Sequence, residues 1–200
     1  MSDNEVIFYE ELNYGGASHP YKLGDDINLG NTSLNDKFTS VKVGAKVKVV
    51  AWQHYDQTGV YREWDVDQPD ITDIGGLTRF RVVKSGTLPI AVRLEDLTGQ
   101  EKHHYSMKVD SHDVGTAKVY SGGAGYGLVG LMPEAGPPVT TAIYVRDEKS
   151  GVYVATGSIY FTWDGETKSI RIDNAENFPK NMEHQRERRN EFTCQLKSVS

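Results

Sequence analysis

"SLNDKFTSVKVG", residues 33–44, sets Asn35 and Asp36 two residues apart from the hydroxyls of Thr39 and Ser40. It runs directly into "VKVGAKVKVVAW" (41–52), an alternating apolar pattern of strand period. An oxygen-rich turn therefore opens onto β structure. Calcium takes about six to eight oxygens from carboxylates, amides, hydroxyls, backbone carbonyls and water. Asn35, Asp36, Thr39 and Ser40 offer side-chain oxygens, and the Lys37 carbonyl lies between them. The same residues also make an Asx-turn, which stabilises a hairpin corner without any metal. On these residues alone both readings stand.

Working outward, period two recurs in "RFRVV" (79–83), "YVATGSIYFTW" (153–163), "SIRI" (169–172) and "FTCQL" (192–196), each flanked by Gly, Asn, Asp or Pro. Twenty glycines and eleven tyrosines against six phenylalanines suit strands and turns. "AENFPKNMEHQRERRNE" (175–191) holds helix formers, but Pro179 interrupts it and no apolar stripe follows. It reads as loop with one short helical turn at most. The chain is expected to be all-β.

The first half repeats itself. "VIFYEELNYGG" (6–16) and "VVAWQHYDQTG" (49–59) each carry a strand, an aromatic (Tyr9, Trp52) and a glycine seven residues later (Gly16, Gly59). Each leads to a later strand after a threonine, "FTSVKV" (38–43) and "LTRFRV" (77–82). Two such four-strand units predict paired Greek keys in a small sandwich. A glycine at the corner lets the hairpin fold over at positive φ. In the second copy, "DIGGLTRFRV" (73–82), Thr78 stands for Thr39 and Gly76 for Lys37. Ile74 and Gly75 replace Asn35 and Asp36, and Arg79 replaces Ser40. One copy is rich in ligands and the other is depleted.

"VVKSGTLP" (82–89) punctuates the pattern with Gly86 and Pro89, which divides the chain into domains 1–85 and 86–200. "YSGGAGYGL" (120–128) and "PEAGPP" (133–138) read as loops. The strand spacing of the second domain fits an immunoglobulin-like sandwich of roughly seven strands, without the usual cysteine pair. A single cysteine, Cys194, excludes an intramolecular disulfide and fits folding in a reducing compartment. "MSDNEVIFYEELN" (1–13) lacks the basic-then-apolar order of a secretory signal. Synthesis in the cytoplasm and unconventional export would then bring the protein to the cell surface, with any membrane contact peripheral.

The net charge of −6 gives no electrostatic reason to expect nucleic acid. The six histidines are scattered apart from His103–His104, and neither that pair nor His112 makes a zinc spacing with the one cysteine. No G-x-S-x-G elbow occurs, and "GGAGYG" has no strand–helix context for a phosphate loop. Cys194 alternates within a strand and reads as buried rather than nucleophilic. The chain reads as a non-enzyme. Trp52 and Trp163 sit in alternating strands and read as core. Trp64, in "YREWDVDQPD" (61–70), reads as the exposed aromatic on which a glycan would stack. "RERR" (186–189) would attract anionic head groups at about 1 kcal/mol per basic residue. Glu187 and Glu191 neutralise it, and it reads as a solvated loop.

"NDKFTS" (35–40) and the corner "FYEELNYGG" (8–16) resemble the βγ-crystallin superfamily, whose calcium-binding members carry N/D-N/D-x-x-S/T-S in paired Greek keys. The resemblance implies that each ion is shared between keys. One motif gives a carbonyl and a hydroxyl, the other a side chain, and the corner loop a further carbonyl. One site would then use the Gly76 carbonyl and Thr78 hydroxyl, with Asn35 or Asp36 reaching across. The opposite site would use the Lys37 carbonyl and Thr39, with a carbonyl of Glu10 or Glu11, or the Asp73 carboxylate, replacing what Ile74 lacks. Arg79 departs from the pattern and sets a cation close by.

"NDKFTSVKVGAKVKVVAWQHY" (35–55), "GGLTRFRVV" (75–83) and "GSIYFTWDGETKSIRIDNAENFPKNM" (157–182) extend the resemblance over nearly the whole chain. They are similar to the calcium-dependent cell adhesion molecules of social amoebae. That family implies a βγ-crystallin-like double Greek-key sandwich followed by an immunoglobulin-like sandwich. It implies homophilic, Ca2+-dependent contacts through the first domain, with weak or calcium-dependent dimers. The second domain would dock to a membrane surface or membrane protein. Calcium buffering without adhesion and a Ca2+-dependent lectin are the alternatives.

Overall fold

The computed structural model describes residues 1–111, 114–123, 125–173 and 176–199, so His112 and positions 124, 174 and 175 of the segments above lie outside the described residues. The chain divides into two compact units, Met1–Thr87 and Leu88–Ser200. Both are built of strands, and the protein is all-β. Among the described residues no helix is long and apolar enough to cross a membrane.

The first unit contains β1 (Glu5–Glu11), β2 (Gly15–Lys22), β3 (Asp26–Asn28), β4 (Ser40–Val43), β5 (Val47–Trp52), β6 (Tyr61–Trp64) and β7 (Arg79–Lys84). One sheet runs β2-β1-β4 and the other β3-β7-β5-β6. Thus β3, from the first key, pairs with β7 of the second. In return Gln68, from the second key, bridges Val41 on β4. Each key lends its third segment to the other's sheet. In the second key that segment is an isolated bridge, not a full strand. The corners turn as the repeat predicts, with Gly16 at φ 72° and Gly59 at φ 77°.

Phe8 sits at the centre of this unit, stacked on Phe38 at 4.9 Å and packed against Phe80 at 4.6 Å. Trp64 is 5% exposed and meets Phe8 edge-on, which corrects its reading as an exposed aromatic. Glu63, beside it on the strand, alternates to the other face. Trp64 pairs with Val49 in register and shares that residue's inward side. Trp52 is fully buried and Trp163 packs against the core of the second unit. The aromatic platform proposed for glycans is therefore gone.

The second unit begins one residue into β8 (Thr87–Asp96) and continues through β9 (Tyr105–Ser111), β10 (Gly115–Tyr120), β11 (Gly127–Pro133), β12 (Val139–Asp147), β13 (Tyr153–Asp164), β14 (Ser169–Ile172), β15 (Met182–Arg188) and β16 (Glu191–Leu196). These nine strands exceed the roughly seven expected. They form a five-stranded sheet, β10-β9-β12-β13-β14, and a four-stranded sheet, β11-β8-β16-β15. The first strand, β8, lies parallel to the last, β16. Inward residues of both sheets make one core, with Phe161 and Phe192 at 5.5 Å.

Residues 182–188 form an edge strand, which corrects the loop expected over 175–191. Their side chains after Met182 are largely exposed, so no apolar period marks the strand, and pairing with β16 supplies its order. "RERR" is likewise strand and turn. Arg186 donates to Ser169 Oγ at 2.5 Å, Arg188 pairs with Glu191 at 2.7 Å, and Arg189 pairs with Glu134 at 3.3 Å. Cys194 is fully buried on β16, and burial pushes its thiol up to about 12. A thiol reagent at neutral pH should leave it unlabelled in native protein and react only as fast as the second unit opens. Prompt native labelling, read by absorbance, contradicts this placement.

Candidate metal centre between the two keys

The first motif turns at Asp36, whose φ of 61° lies in the left-handed region. At the matching position of the second copy stands Gly75, with φ 73°. The two turns share one backbone shape. In the second, glycine takes it freely, whereas in the first an aspartate takes it at a cost of about 1 kcal/mol. Aspartate is among the side chains that enter this region most readily, so the first turn keeps a carboxylate where its counterpart has none.

Beneath the turn, Phe38 is 3% exposed and Leu77, its counterpart, is fully buried. These anchors fix the two turns against each other. The Asp36 N–H donates to the Leu77 carbonyl at 3.3 Å. Gly76 has φ 109°, and a Cβ placed on it would come within 2.5 Å of Asp36 Oδ1. The absence of a side chain at Gly76 is what lets the aspartate lie over the second key. Asn35, Asp36 and Thr78 line one open depression with Gly30, His54, Tyr55, Asp56 and Thr58. The structure thus joins Asn35 and Asp36 from one motif to Gly76 and Thr78 from the other, together with the second corner loop. The corner residues Tyr55 and Asp56 were missed from sequence. The signal for them was the alignment of 49–59 with 6–16.

Two oxygens in the candidate ligand set are orphaned. Asn35 Oδ1 and Thr39 Oγ1 are both buried without a hydrogen-bond partner. Buried polar atoms are nearly always satisfied, and an unmet acceptor costs about 1–3 kcal/mol. The Asn35 amide meanwhile donates to Asp36 Oδ2 at 2.8 Å, which turns its carbonyl oxygen the other way. Neutral and anionic oxygens of this kind suit a hard cation such as Ca2+. Asn35 and Asp36, with the Gly76 carbonyl and Thr78 hydroxyl, would hold one ion. The Lys37 carbonyl and Thr39 hydroxyl are the start of a second set.

Other expected ligands have different duties. Ser40 is fully buried, and its hydroxyl donates to the Glu11 carbonyl at 2.7 Å while accepting from the Tyr14 N–H at 3.0 Å. It ties the first corner shut, which removes it from the ligand set. Of the two corner carbonyls expected as ligands, that of Glu11 takes the Ser40 hydroxyl; the Glu10 side chain, not itself an expected ligand, meets His19 Nε2 at 2.9 Å. Asp73 accepts from Arg62 Nε through Oδ2 at 2.6 Å, an exposed pair that competes with any role in replacing what Ile74 lacks. Ile74 itself is core.

Arg79 does not stand as a bare cation beside the depression. Its Nε and Nη2 grip Asp26 at 2.8–3.0 Å, a two-pronged carboxylate pair that Asp26 shares with Arg81 at 3.1 Å. Its Nη1 also donates to the Tyr55 carbonyl at 3.3 Å. The sixth motif position thus ties a corner in both copies, Ser40 the first and Arg79 the second.

A family model described as "Beta/Gamma crystallin" matches residues 2–84, and one described as "Membrane binding" matches residues 90–197. The chain is 47% identical to the abundant perithecial protein of Neurospora crassa, covering 100% of this chain and 99% of that one, with a TM-score of 0.64. A βγ-crystallin domain of the same Neurospora protein in the Ca2+-bound form is 53% identical, over 42% of this chain and 93% of its own (TM-score 0.41). Calcium-dependent cell adhesion molecule 1 of Dictyostelium discoideum is 28% identical over 192 residues, 90% of this chain and 89% of its own length. The chain belongs to the family of the Neurospora abundant perithecial protein, with a βγ-crystallin domain followed by a domain of the membrane-binding family.

Proposed function

We propose that this is a calcium-dependent cell adhesion protein acting by homophilic contacts. Ca2+ is held between the two keys of the first unit. The second unit, read as an immunoglobulin-like sandwich, attaches peripherally at the cell surface after export without a secretory signal. The observation that carries the reading is the pair of turns at 35–40 and 74–79. Asp36 holds a left-handed backbone over Gly76, and Asn35 Oδ1 is buried without a partner. The name of the Dictyostelium relative supports the adhesive part.

The chain's own residues set the mechanism. Asn35 and Asp36 reach from the first key, while Gly76 and Thr78 wait on the second. Occupancy therefore ties two segments that the fold otherwise joins by strand exchange. Ca2+ supplies positive charge and coordination for oxygens that lack donors. Its stabilisation grows as RT ln(1 + [Ca2+]/Kd), about 2.7 kcal/mol at one hundred times Kd. Such an increment is enough to order the corner loops and make a weak contact between copies productive.

Calcium titration calorimetry on the full chain should give heat, and Asp36→Ala should lose at least about tenfold in affinity, since a bound carboxylate ligand is removed. Absence of heat from the parent overturns the calcium reading, and unchanged affinity in the variant overturns the site. Beads coated with the protein should cluster in Ca2+ and disperse in chelator. Binding without clustering would make the protein a calcium buffer.

A further inference from the structure

The outer face of the five-stranded sheet in the second unit sets exposed tyrosines among basic side chains. Register places Lys118, Lys108, Tyr144 and Thr156 in one row across β10, β9, β12 and β13. The next row holds Tyr120, Ser106, Arg146 and Tyr153. Tyr120, Tyr144 and Tyr153 are exposed, as is Val152 before the last of them. Lys108, Lys118, Tyr144, Arg146 and Tyr153 line a shallow depression of about 470 Å3.

A β-bulge makes this face. Val145 pairs with Ala155 but Arg146 pairs with Tyr153, so one extra residue, Val154, is inserted. Val154 packs on the core, as Ala155 does, and Tyr153 is turned outward beside Tyr144, with rings 6.1 Å apart. Without the bulge, strict alternation from buried Ala155 would point Tyr153 inward.

The charge is also local. Lys108, Lys118 and Arg146 gather on a chain of net charge −6. The one carboxylate lining the depression, Asp110, is bound by Lys108 at 2.7 Å and by Thr116. The Lys118 ammonium lies over the Tyr120 ring at 5.1 Å. Tyrosines with an apolar body and a polar tip, interleaved with cations, match the boundary between head groups and acyl chains of an anionic bilayer.

We infer that this face, formed by Tyr120, Tyr144 and Tyr153 with Lys108, Lys118 and Arg146, is where the second unit docks on anionic phospholipid head groups. The inference rests on the reading of that unit as the membrane-attaching one. It locates the contact on the five-stranded sheet and away from "RERR", which lies among the carboxylates of Glu134, Glu187 and Glu191, whereas the depression sets one carboxylate against three cations.

The full chain is tested for cosedimentation with vesicles of phosphatidylcholine alone, or with about one third phosphatidylserine. Binding is expected only to the second kind, and it should weaken as salt is raised. Lys108→Glu with Lys118→Glu should lose at least about twenty-five-fold, roughly fivefold for each positive charge removed, before the added negative charges act. Tyr153→Ser should weaken binding with no loss of thermal stability, since that side chain is exposed. Lys42→Glu with Lys46→Glu, the same charge change in the first unit, should bind as the parent does. Parent-like binding by the first two variants, or equal loss in the third, overturns this face while membrane attachment stands. Equal binding to neutral vesicles overturns the anionic head group as ligand. No binding by the parent to either vesicle overturns the attachment itself, and leaves the calcium titration unaffected.

Discussion

Replacing Phe38 by alanine is expected to lower the stability of the calcium-free first unit by about 3–5 kcal/mol, the usual cost of truncating a buried phenylalanine. Phe38 is 3% exposed, stacks on Phe8 at 4.9 Å and meets Tyr21 and His19 at its edges. It is also the fourth residue of the candidate ligand turn. The cavity left behind therefore lies directly below Asn35, Asp36 and Thr39. Urea unfolding followed by tryptophan fluorescence reports the loss, since Trp52 and Trp64 both belong to this unit. The increment from added Ca2+, about 2.7 kcal/mol at one hundred times the parent's Kd, should shrink as well. Phe192→Ala, in the core of the second unit, serves as the contrast: it should destabilise its own unit and leave the calcium increment whole. A full calcium increment in Phe38→Ala would show that the turn keeps its shape without its anchor.

Asp36→Gly should separate binding from folding. Asp36 holds φ 61°, so glycine there removes roughly 1 kcal/mol of backbone strain, offset by a similar gain in unfolded-state entropy. The calcium-free variant should then match the parent within about 1 kcal/mol. Calcium affinity should nonetheless fall at least tenfold, because the carboxylate beside Gly76 is gone. Asp36→Ala keeps the strain and loses the ligand, so it should be the less stable of the two without calcium. Chelator melts and calorimetry on all three chains check the order. If Asp36→Gly bound Ca2+ like the parent, the left-handed aspartate would need another explanation.

Much of the first unit was legible because its information is local. Period two, corner glycines and the aligned turns at 35–40 and 74–79 all lie within short stretches of chain. Ser40 was misread for the opposite reason. Its hydroxyl is spent on the carbonyl of Glu11 and the N–H of Tyr14, both far away in sequence, and nothing near it records that. Asp73 offered a carboxylate at the right distance along the chain, but Arg62, on a neighbouring strand, already holds it. Arg79 looked like an obstacle until Asp26 came beside it across the sheet. Trp64 looked exposed because its neighbours are charged, whereas strand pairing gives alternate residues opposite faces. β15 was invisible because an edge strand with both faces wet needs no apolar pattern. Pairing partners made each of these differences, and a linear reading does not hold them.

The exchange of third segments between the keys bears on how such a unit is inherited. A duplicated Greek key ordinarily leaves two modules that can drift apart, be lost or be shuffled singly. Here β3 closes the sheet of β7, and Gln68 bridges to β4, so deleting either copy leaves the other with a bare edge. The second copy could therefore shed its acidic turn residues, as Ile74 and Gly75 record, while its strands stayed indispensable. Each half keeps the other's sheet closed whether or not its own turn carries ligands, so the two can only be inherited together.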